Sequence, residues 1–364
     1  MISKMTFVCS GHDSGLIRWA LKYLCEAVNW EGVQTEIVDL AKTTDTSWIQ
    51  DTEAVLVYRS FDLKALHLMQ RLKQSGKFVM FFLDDYLFQP GCKYTNGWMM
   101  PMEPLREADC LVSSSARLLS YMPKKPKILR RSVMDEESMQ ILSQSYRRDT
   151  SKFDIGWLGS LGRLGMMDKF VYDMLKALDA GILDGTKCTL HHFGARGYPQ
   201  FPKVAIKEHL YVAPGEWKSL YSKWVGFDLG AVINPLNEND EFCHCKSELK
   251  YVESGAMGVP LVTSRVAPYT EFVIEGENGF FASKPKEYAE KLLLLMKDEA
   301  LSRRVSENCK AYVVKNYNVQ DNAKQFIADV NRAMTEAQAT IEIESRESRL
   351  KRHFGWDGIP RKPF

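Results

Sequence analysis

Two doubly wound, parallel α/β domains of the Rossmann-like kind are what the sequence predicts, and two observations carry that reading. Apolar, strand-like runs alternate with stretches of helical periodicity from residue 5 to about 150, and the alternation restarts at Phe153. Strand, helix, strand repeating in this way argues for parallel sheets joined by crossover helices. The chain also has 364 residues, of which 45% are hydrophobic and 26% charged. That is ordinary globular composition, and it is too long for one core.

In chain order, Thr6 to Cys9 reads as the first strand. It runs into a polar loop with Gly11, His12, Asp13, Ser14 and Gly15. Ile17, Leu21, Leu24 and Val28 then fall on one helical face. Thr35–Val38, Ala54–Tyr58, Phe78–Leu83 and Cys110–Ser113 read as strands, with helices near Leu63–Gln74 and Ser114–Met122. Ligands of such sheets sit at the carboxyl ends of the strands. The Gly11–Gly15 loop therefore lies at a mouth, as do Asp84, Asp85 and Tyr86. His12 reads as a loop or capping histidine or as a catalyst. Asp84 and Asp85 read as a capped loop start or as a carboxylate pair that orients an acceptor alcohol. Pro123 to Arg131 gathers Lys124, Lys125, Lys127, Arg130 and Arg131. It could meet phosphates or an anionic membrane face. Without interleaved aromatics for base stacking, a solvated loop leading to an edge strand is the better reading. Asp149 to Lys152 is polar and marks the link between domains.

In the second block, Phe153 to Ser160 is a strand ending in a glycine turn with Gly159 and Ser160, followed by Arg163 and an amphipathic helix over 167–178. Cys188–Gly194 and Leu229–Leu236 read as further strands. The central stretch is Lys246 to Pro260, KSELKYVESGAMGVP. It predicts a helix with Ser247 as N-cap and with Lys246, Lys250 and Glu253 on one face at offsets 0, 4 and 7. Gly255 and Gly258 permit close approach or positive φ at its end, and a short buried strand, LVTS, follows. A helix N-terminus binds phosphate, and a carboxylate deeper in the helix accepts ribose hydroxyls. An ordinary surface helix with two solvated lysines remains the other reading. After Asn318 a helical stretch runs to about Ser345, and the tail beyond it is irregular.

The combination K-S-x-x-K-x-x-E-x-x-x-x-G-V-P-x-V-x-S with P-Y-x-E-x-x-x-x-G-x-N-G-F, over Lys246 to Phe280, resembles the carboxyl-terminal domain of GT-B glycosyltransferases. Within these it is similar to the retaining, nucleotide-sugar-dependent family 4. The resemblance spans about Phe153 to Tyr317. It implies two Rossmann-like domains facing a cleft: 1–150 on the acceptor side, 151–320 holding a nucleotide-sugar, 321–345 crossing back as a helix and 346–364 as a basic tail. It further implies transfer of a sugar, with a UDP-sugar as first choice, to the hydroxyl of a glycan, lipid-linked or other acceptor. Retention, no metal and no cofactor beyond the cosubstrate belong to the same expectation. Residue by residue, Arg163 and Lys250 would face the diphosphate, with Gly159, Ser160, Ser247, Glu248 and Leu249 around it. Glu253 would hold the ribose, Val212 would lie at the base and Tyr269 beside the donor. Gly11, Gly15, His12 and Asp85 would come from the first domain. One departure stands out. Members commonly carry a glutamate eight positions before the second one, and here that position is Cys245. Glu241 and Lys246 are its charged neighbours.

Net charge is only +2 and implies no large single-sign field. Six basic against two acidic residues over 346–364 leave the rest weakly acidic. Thr6 to Ser10 is too short for a signal-peptide core, and the longest aliphatic run, Leu292 to Met296, is far below a membrane span. The eight cysteines match neither a disulfide framework nor paired zinc knuckles. A cytoplasmic protein with reduced thiols is expected. Two other functions fit the residues: glycosylation of a hydroxylated base in DNA, motivated by the basic loop and tail, and non-catalytic binding of a sugar nucleotide, motivated by Cys245.

Overall fold

The computed structural model describes residues 1–10, 21–88, 102–145, 152–157, 164–183, 185–193, 201–209 and 217–354. Two six-stranded parallel sheets organise them. The first is built from β1 (Lys4–Cys9), β2 (Gln34–Asp39), β3 (Ala54–Tyr58), β4 (Phe78–Phe82), β5 (Cys110–Ser113) and β6 (Lys127–Leu129), in the order β2-β1-β3-β4-β5-β6. The second is built from β7 (Lys152–Trp157), β8 (Lys187–Phe193), β9 (Val204–His209), β10 (Leu229–Asn234), β11 (Leu261–Thr263) and β12 (Phe280–Phe281), in the order β12-β11-β10-β7-β8-β9. These are the two Rossmann-like units expected, and the strand periods read from the sequence lie within them. The basic run does end in an edge strand, β6.

Each sheet is buried on both faces, because parallel strands need crossover helices and these cover both sides. Along β3, Ala54, Leu56 and Tyr58 face one core cluster while Val55 and Val57 face another. The helices of the first unit are α1 (Tyr23–Trp30), α2 (Leu63–Gln74), α3 (Met102–Glu107) and α4 (Ala116–Tyr121). α2 shows why such segments are helical. Asp62 caps it by accepting from the Ala65 amide at 2.7 Å, and Ala65, Leu68, Met69 and Leu72 form the buried stripe. In the second unit stand α5 (Glu136–Ser143), α6 (Leu164–Gly181), α7 (Trp217–Gly226), α8 (Glu241–His244), α9 (Leu249–Met257), α10 (Ala267–Thr270), α11 (Pro285–Lys297) and α12 (Glu299–Asn316). α5 packs against α7 and α9, so the chain crosses to the second unit at 130–135, ahead of the link expected at 149–152.

The chain then returns. α13 (Val319–Phe354) lays Val319, Ala323, Phe326, Val330 and Ala333 into the core of the first unit, against α1 and β6. Its Asn331 side chain accepts from the Ile2 amide at 2.9 Å.

Both sheets reverse their strand order beside their first strand, between β1 and β3 and between β7 and β10. A doubly wound sheet opens its crevice at such a switch point. β1 and β7 end at the two crevices; the loops singled out in the sequence, Gly11–Gly15 and Gly159–Arg163, lie outside the described residues.

α9 is held at its place in the second crevice by close contact with α12. A Cβ on Gly255 would stand 2.4 Å from Val313 Cγ2 and 3.1 Å from the Cys309 carbonyl oxygen. Gly255→Ala is expected to destabilise the protein by about 1–3 kcal/mol through overpacking, read as a lowered midpoint in urea unfolding. An unchanged midpoint would mean that α12 backs away freely.

Candidate functional site

The turns that follow β4 and β10 meet, and of the polar side chains singled out from the sequence Asp85 and Lys246 join there. At the second sheet, α9 begins after Glu248 and ends at Gly258, whose φ of 65° is the left-handed closure that glycine favours. Ser247 was expected to cap this helix. Instead the N-cap position is Glu248, and no side chain caps it. Lys246 was expected on the helix face with Lys250 and Glu253. It lies before the helix, because α8 closes at Cys245, its C-cap, and α9 starts only after Glu248. Lys246 Nζ instead reaches the Asp85 carboxylate across the interface and sits 3.9 Å from the centre of the Phe242 ring.

Lys250 and Glu253 do come together. Lys250 Nζ donates to Glu253 Oε2 at 2.8 Å, and the phenol of Tyr221 on α7 donates to Oε1 at 3.2 Å. The Glu253 side chain is 4% exposed and that of Lys250 28%. A lysine in the first turn opposes the helix dipole. Its ion pair with Glu253 and the Trp224 ring, 5.6 Å away, offset that cost. A cation at the amide end of a helix is a strong attractor for phosphate. Leu249 opens the helix, half-buried. Tyr269 on α10 is buried and its hydroxyl donates to the Ser247 carbonyl oxygen at 3.5 Å. Glu248 is fully buried, accepts from the Ser132 amide at 2.9 Å, and is pushed up to about 7 by burial, against the pull of nearby Arg131.

The turn before α9 is nailed to the first unit. Arg117 of α4 makes a two-pronged pair with Glu241, at 2.6 and 3.2 Å, which holds that carboxyl below its usual range. Phe242 and Cys245 enter the cluster that contains Tyr86, Leu87 and Met122. His244 braces the turn: its Nδ1 accepts from the Ala267 amide at 3.2 Å, so Nε2 carries the proton and donates to the Glu238 carbonyl oxygen at 2.8 Å. Cys243 points the other way, into the core of the second unit. Among the described residues no group of three or more His, Cys, Asp or Glu side chains could hold a metal ion.

On the first sheet, Asp84 accepts from the Tyr58 hydroxyl at 3.0 Å and from Arg59 at 3.0 Å, while Arg59 also reaches Asp85 at 3.2 Å. Burial raises the Asp84 carboxyl, with Arg59 working against it. Arg59 holds this post from a left-handed backbone, φ 48°. Asp85 is thus shared between Arg59 and Lys246.

The basic run reads differently in three dimensions. Lys127 caps the end of α4 by donating to the Leu119 and Met122 carbonyl oxygens, at 2.6 and 3.0 Å. Lys125 donates to the carbonyl oxygens of Arg106 and Ala108, Arg131 pairs with Glu271, and Arg130 is buried over the Phe82 ring. These cations serve the fold, so the run does not support a nucleic-acid acceptor. Gly11, His12, Gly15, Gly159, Ser160, Arg163 and Val212 lie outside the described residues. Sequence reasoning missed Tyr221 and Trp224, which flank the Lys250–Glu253 pair, and Arg59, which fixes the two aspartates. The aromatic pair on one helix and an arginine directly after a strand were the available signals.

Residues 249–312 match the family model "Glycosyl transferases group 1". The segment begins at the first residue of α9 and so contains both Lys250 and Glu253. A search of curated proteins by sequence returned no match. Among solved structures, the fold resembles sucrose-phosphate synthase from Thermosynechococcus elongatus, with a TM-score of 0.61 at 10% identity over 92% of this chain and 100% of that one. It resembles HepE from Anabaena, crystallised with UDP and glucose, with a TM-score of 0.57 at 12% identity over 91% and 100%. It also resembles a Listeria monocytogenes protein named as a UDP-N-acetylglucosamine 2-epimerase, with a TM-score of 0.53 at 10% identity over 92% and 98%. At such identities the likeness shows the fold, which serves both transfer and epimerisation. The group 1 segment is what points to transfer.

Burial pushes the Cys245 thiol up to about 12. It is therefore expected to stay unmodified by iodoacetamide at pH 8 in the native protein and to react once denaturant is added, as read by peptide mass spectrometry. Modification of native protein at the rate of a free thiol would show that the interface around Cys245 opens in solution.

Proposed function

We propose that the chain is a glycosyltransferase of GT-B fold that moves a sugar from a nucleoside-diphosphate donor, bound at α9, to an acceptor hydroxyl presented by the first unit. The observation that carries this reading is the Lys250–Glu253–Tyr221 arrangement at the start of α9, inside the group 1 segment. We take the ion pair to be the resting state. An arriving donor exchanges it: the diphosphate draws Lys250 and the helix amides, and the ribose hydroxyls take its place on Glu253, with Tyr221 still holding the carboxylate. Lys250 then faces the charge that develops as the diphosphate leaves. Arg163, in the loop after β7, is assigned to the same diphosphate by the family pattern.

Asp85 acts by position in this scheme. Shared by Arg59 and Lys246, it fixes the acceptor-side turn against the donor-side turn rather than serving as a lone base. With Cys245 buried where relatives place a glutamate, the transferred sugar is read by other groups. Transfer with retention, by attack from the face the nucleotide leaves, needs no carboxylate nucleophile at that position, and the chemistry proposed needs no metal because Lys250 and the helix amides supply the positive charge. HepE was crystallised with UDP and glucose, which makes UDP-sugars the first donors to try. No two of the described cysteines form a disulfide, which suits a reducing cytoplasm. No helix among the described residues is long and apolar enough to cross a membrane.

A thermal-shift panel of UDP-, GDP-, ADP- and TDP-sugars tests the donor class. One nucleotide is expected to raise the unfolding midpoint, as a ligand of the native state must, and EDTA is expected to leave both that shift and turnover unchanged. No shift with any member, or turnover that stops with EDTA and returns with Mg²⁺ or Mn²⁺, would overturn the scheme. Glu253→Ala is expected to weaken nucleotide binding by about 1.5–3 kcal/mol, the range for hydrogen bonds to a charged group.

Lys250→Met keeps the side chain's length and removes its charge. Turnover should fall by on the order of 10²–10³, mainly in kcat with a smaller change in donor KM. A kcat within about twofold of the parent would remove Lys250 from the charge-stabilising role.

A further inference from the structure

The connection between the units is made twice, side by side. The outward segment, Arg130 to Asp135, follows β6, and the return segment enters α13 after Tyr317; the two pair as a parallel bridge at Met134 and Asn318. Glu248 stands against the outward segment. Its Oε1 accepts from the Ser132 amide at 2.9 Å, 116 positions away in sequence. Its Oε2 is buried without a hydrogen-bond partner among the described residues. Glu248 is also the N-cap residue of α9, two positions before Lys250 and five before Glu253. The ionisable groups that face it are Arg130 and Arg131 from the crossing segment, Glu271 beside α10, and Tyr312 and Tyr317 from the end of α12 and just beyond it. Arg131 is held by Glu271. A carboxyl that is wholly buried with one oxygen unbonded fits its place when neutral and is costly there when charged.

We propose that Glu248 couples the nucleotide end of α9 to the interdomain crossing, so that its neutral carboxyl, buried against the outward segment, holds the two units in the arrangement described and the cost of burying its charge releases them. The coupling is a property of the crossing. Only the identity of the ligand at α9 rests on the function proposed above.

The sign follows from burial. The folded-state value, about 7, lies above the ordinary range of a glutamate. The contribution of the neutral group is therefore fully present below that ordinary range and is lost as pH rises through about 7. Hinge motion that closes two units over a ligand is the motion such a group would bias.

The test uses the full chain and its Glu248→Gln variant between pH 5.5 and 8.5. Small-angle scattering without ligand reads the separation of the units, and calorimetry with UDP alone reads the α9 end. In the parent protein the radius of gyration is expected to rise in one transition near neutrality, and UDP affinity to fall above it by up to about tenfold per pH unit, the limit for one proton. In Glu248→Gln the radius should show no transition over this range and UDP affinity should stay within about twofold of its low-pH value. A parent radius that does not change with pH, or a glutamine variant that follows the same pH course, overturns the proposal. A Gln-sensitive radius in a protein that binds no UDP upholds the coupling and removes UDP from the function. Should the glutamine variant fail to fold, Glu248→Met, of similar length and uncharged, carries the same comparison.

Discussion

Parallel strands leave every chemically active loop on one edge of their sheet, and here turns from two such edges meet. That constraint governs the rest of the molecule. Charged groups at the carboxyl ends of β3, β4 and β6 must be matched by groups from the turns after β10 and β11, or lie buried and unpaired at a cost of several kcal/mol each. The matches found are specific: Asp85 with Lys246, Arg117 with Glu241, Arg131 with Glu271, and the Ser132 amide with Glu248. Each joins the first unit, or the segment leaving it, to the second. The same groups that define the site therefore define how the units stand.

The turn over Glu241 to Lys246 shows how an apolar substitution is absorbed. A glutamate at position 245 would have to be solvated or paired. A cysteine can be dry, and Cys245 joins Phe242 in a cluster of first-unit side chains. The flanking charges find partners on the first unit, Glu241 with Arg117 and Lys246 with Asp85. Cys245 thus serves as an interdomain anchor.

The sequence made the strands and the longer helices easy to read, because their signal is periodic and local. Leu63 to Gln74 was read with its bounds, since Asp62 supplies a cap and the buried stripe is regular. The Lys250–Glu253 pair was readable for the same reason, three positions apart on one helix. What escaped was set by contacts distant in sequence. Ser247 looked like a cap because its type is right, and nothing local reveals that Cys245 is held elsewhere. The lysines of the basic run looked solvated because a string of cations carries no record of the helix ends they will close. Arg59 gave no hint that a left-handed backbone would aim it at two aspartates. Tyr221 lies 32 positions from the carboxylate it serves, on another helix.

The return of α13 has a consequence for how the protein is made. The first core contains Ile2, Met5 and Phe7 from the start of the chain together with Phe326, Val330 and Ala333 from near its end. On the ribosome, the first sheet emerges early with α1 covering only part of one apolar face, and the rest of the cover arrives only after the whole second unit has been synthesised. At roughly 5–20 residues per second that wait is on the order of ten seconds or more. The unit that starts first is completed last, and its open face is where a chaperone would be engaged.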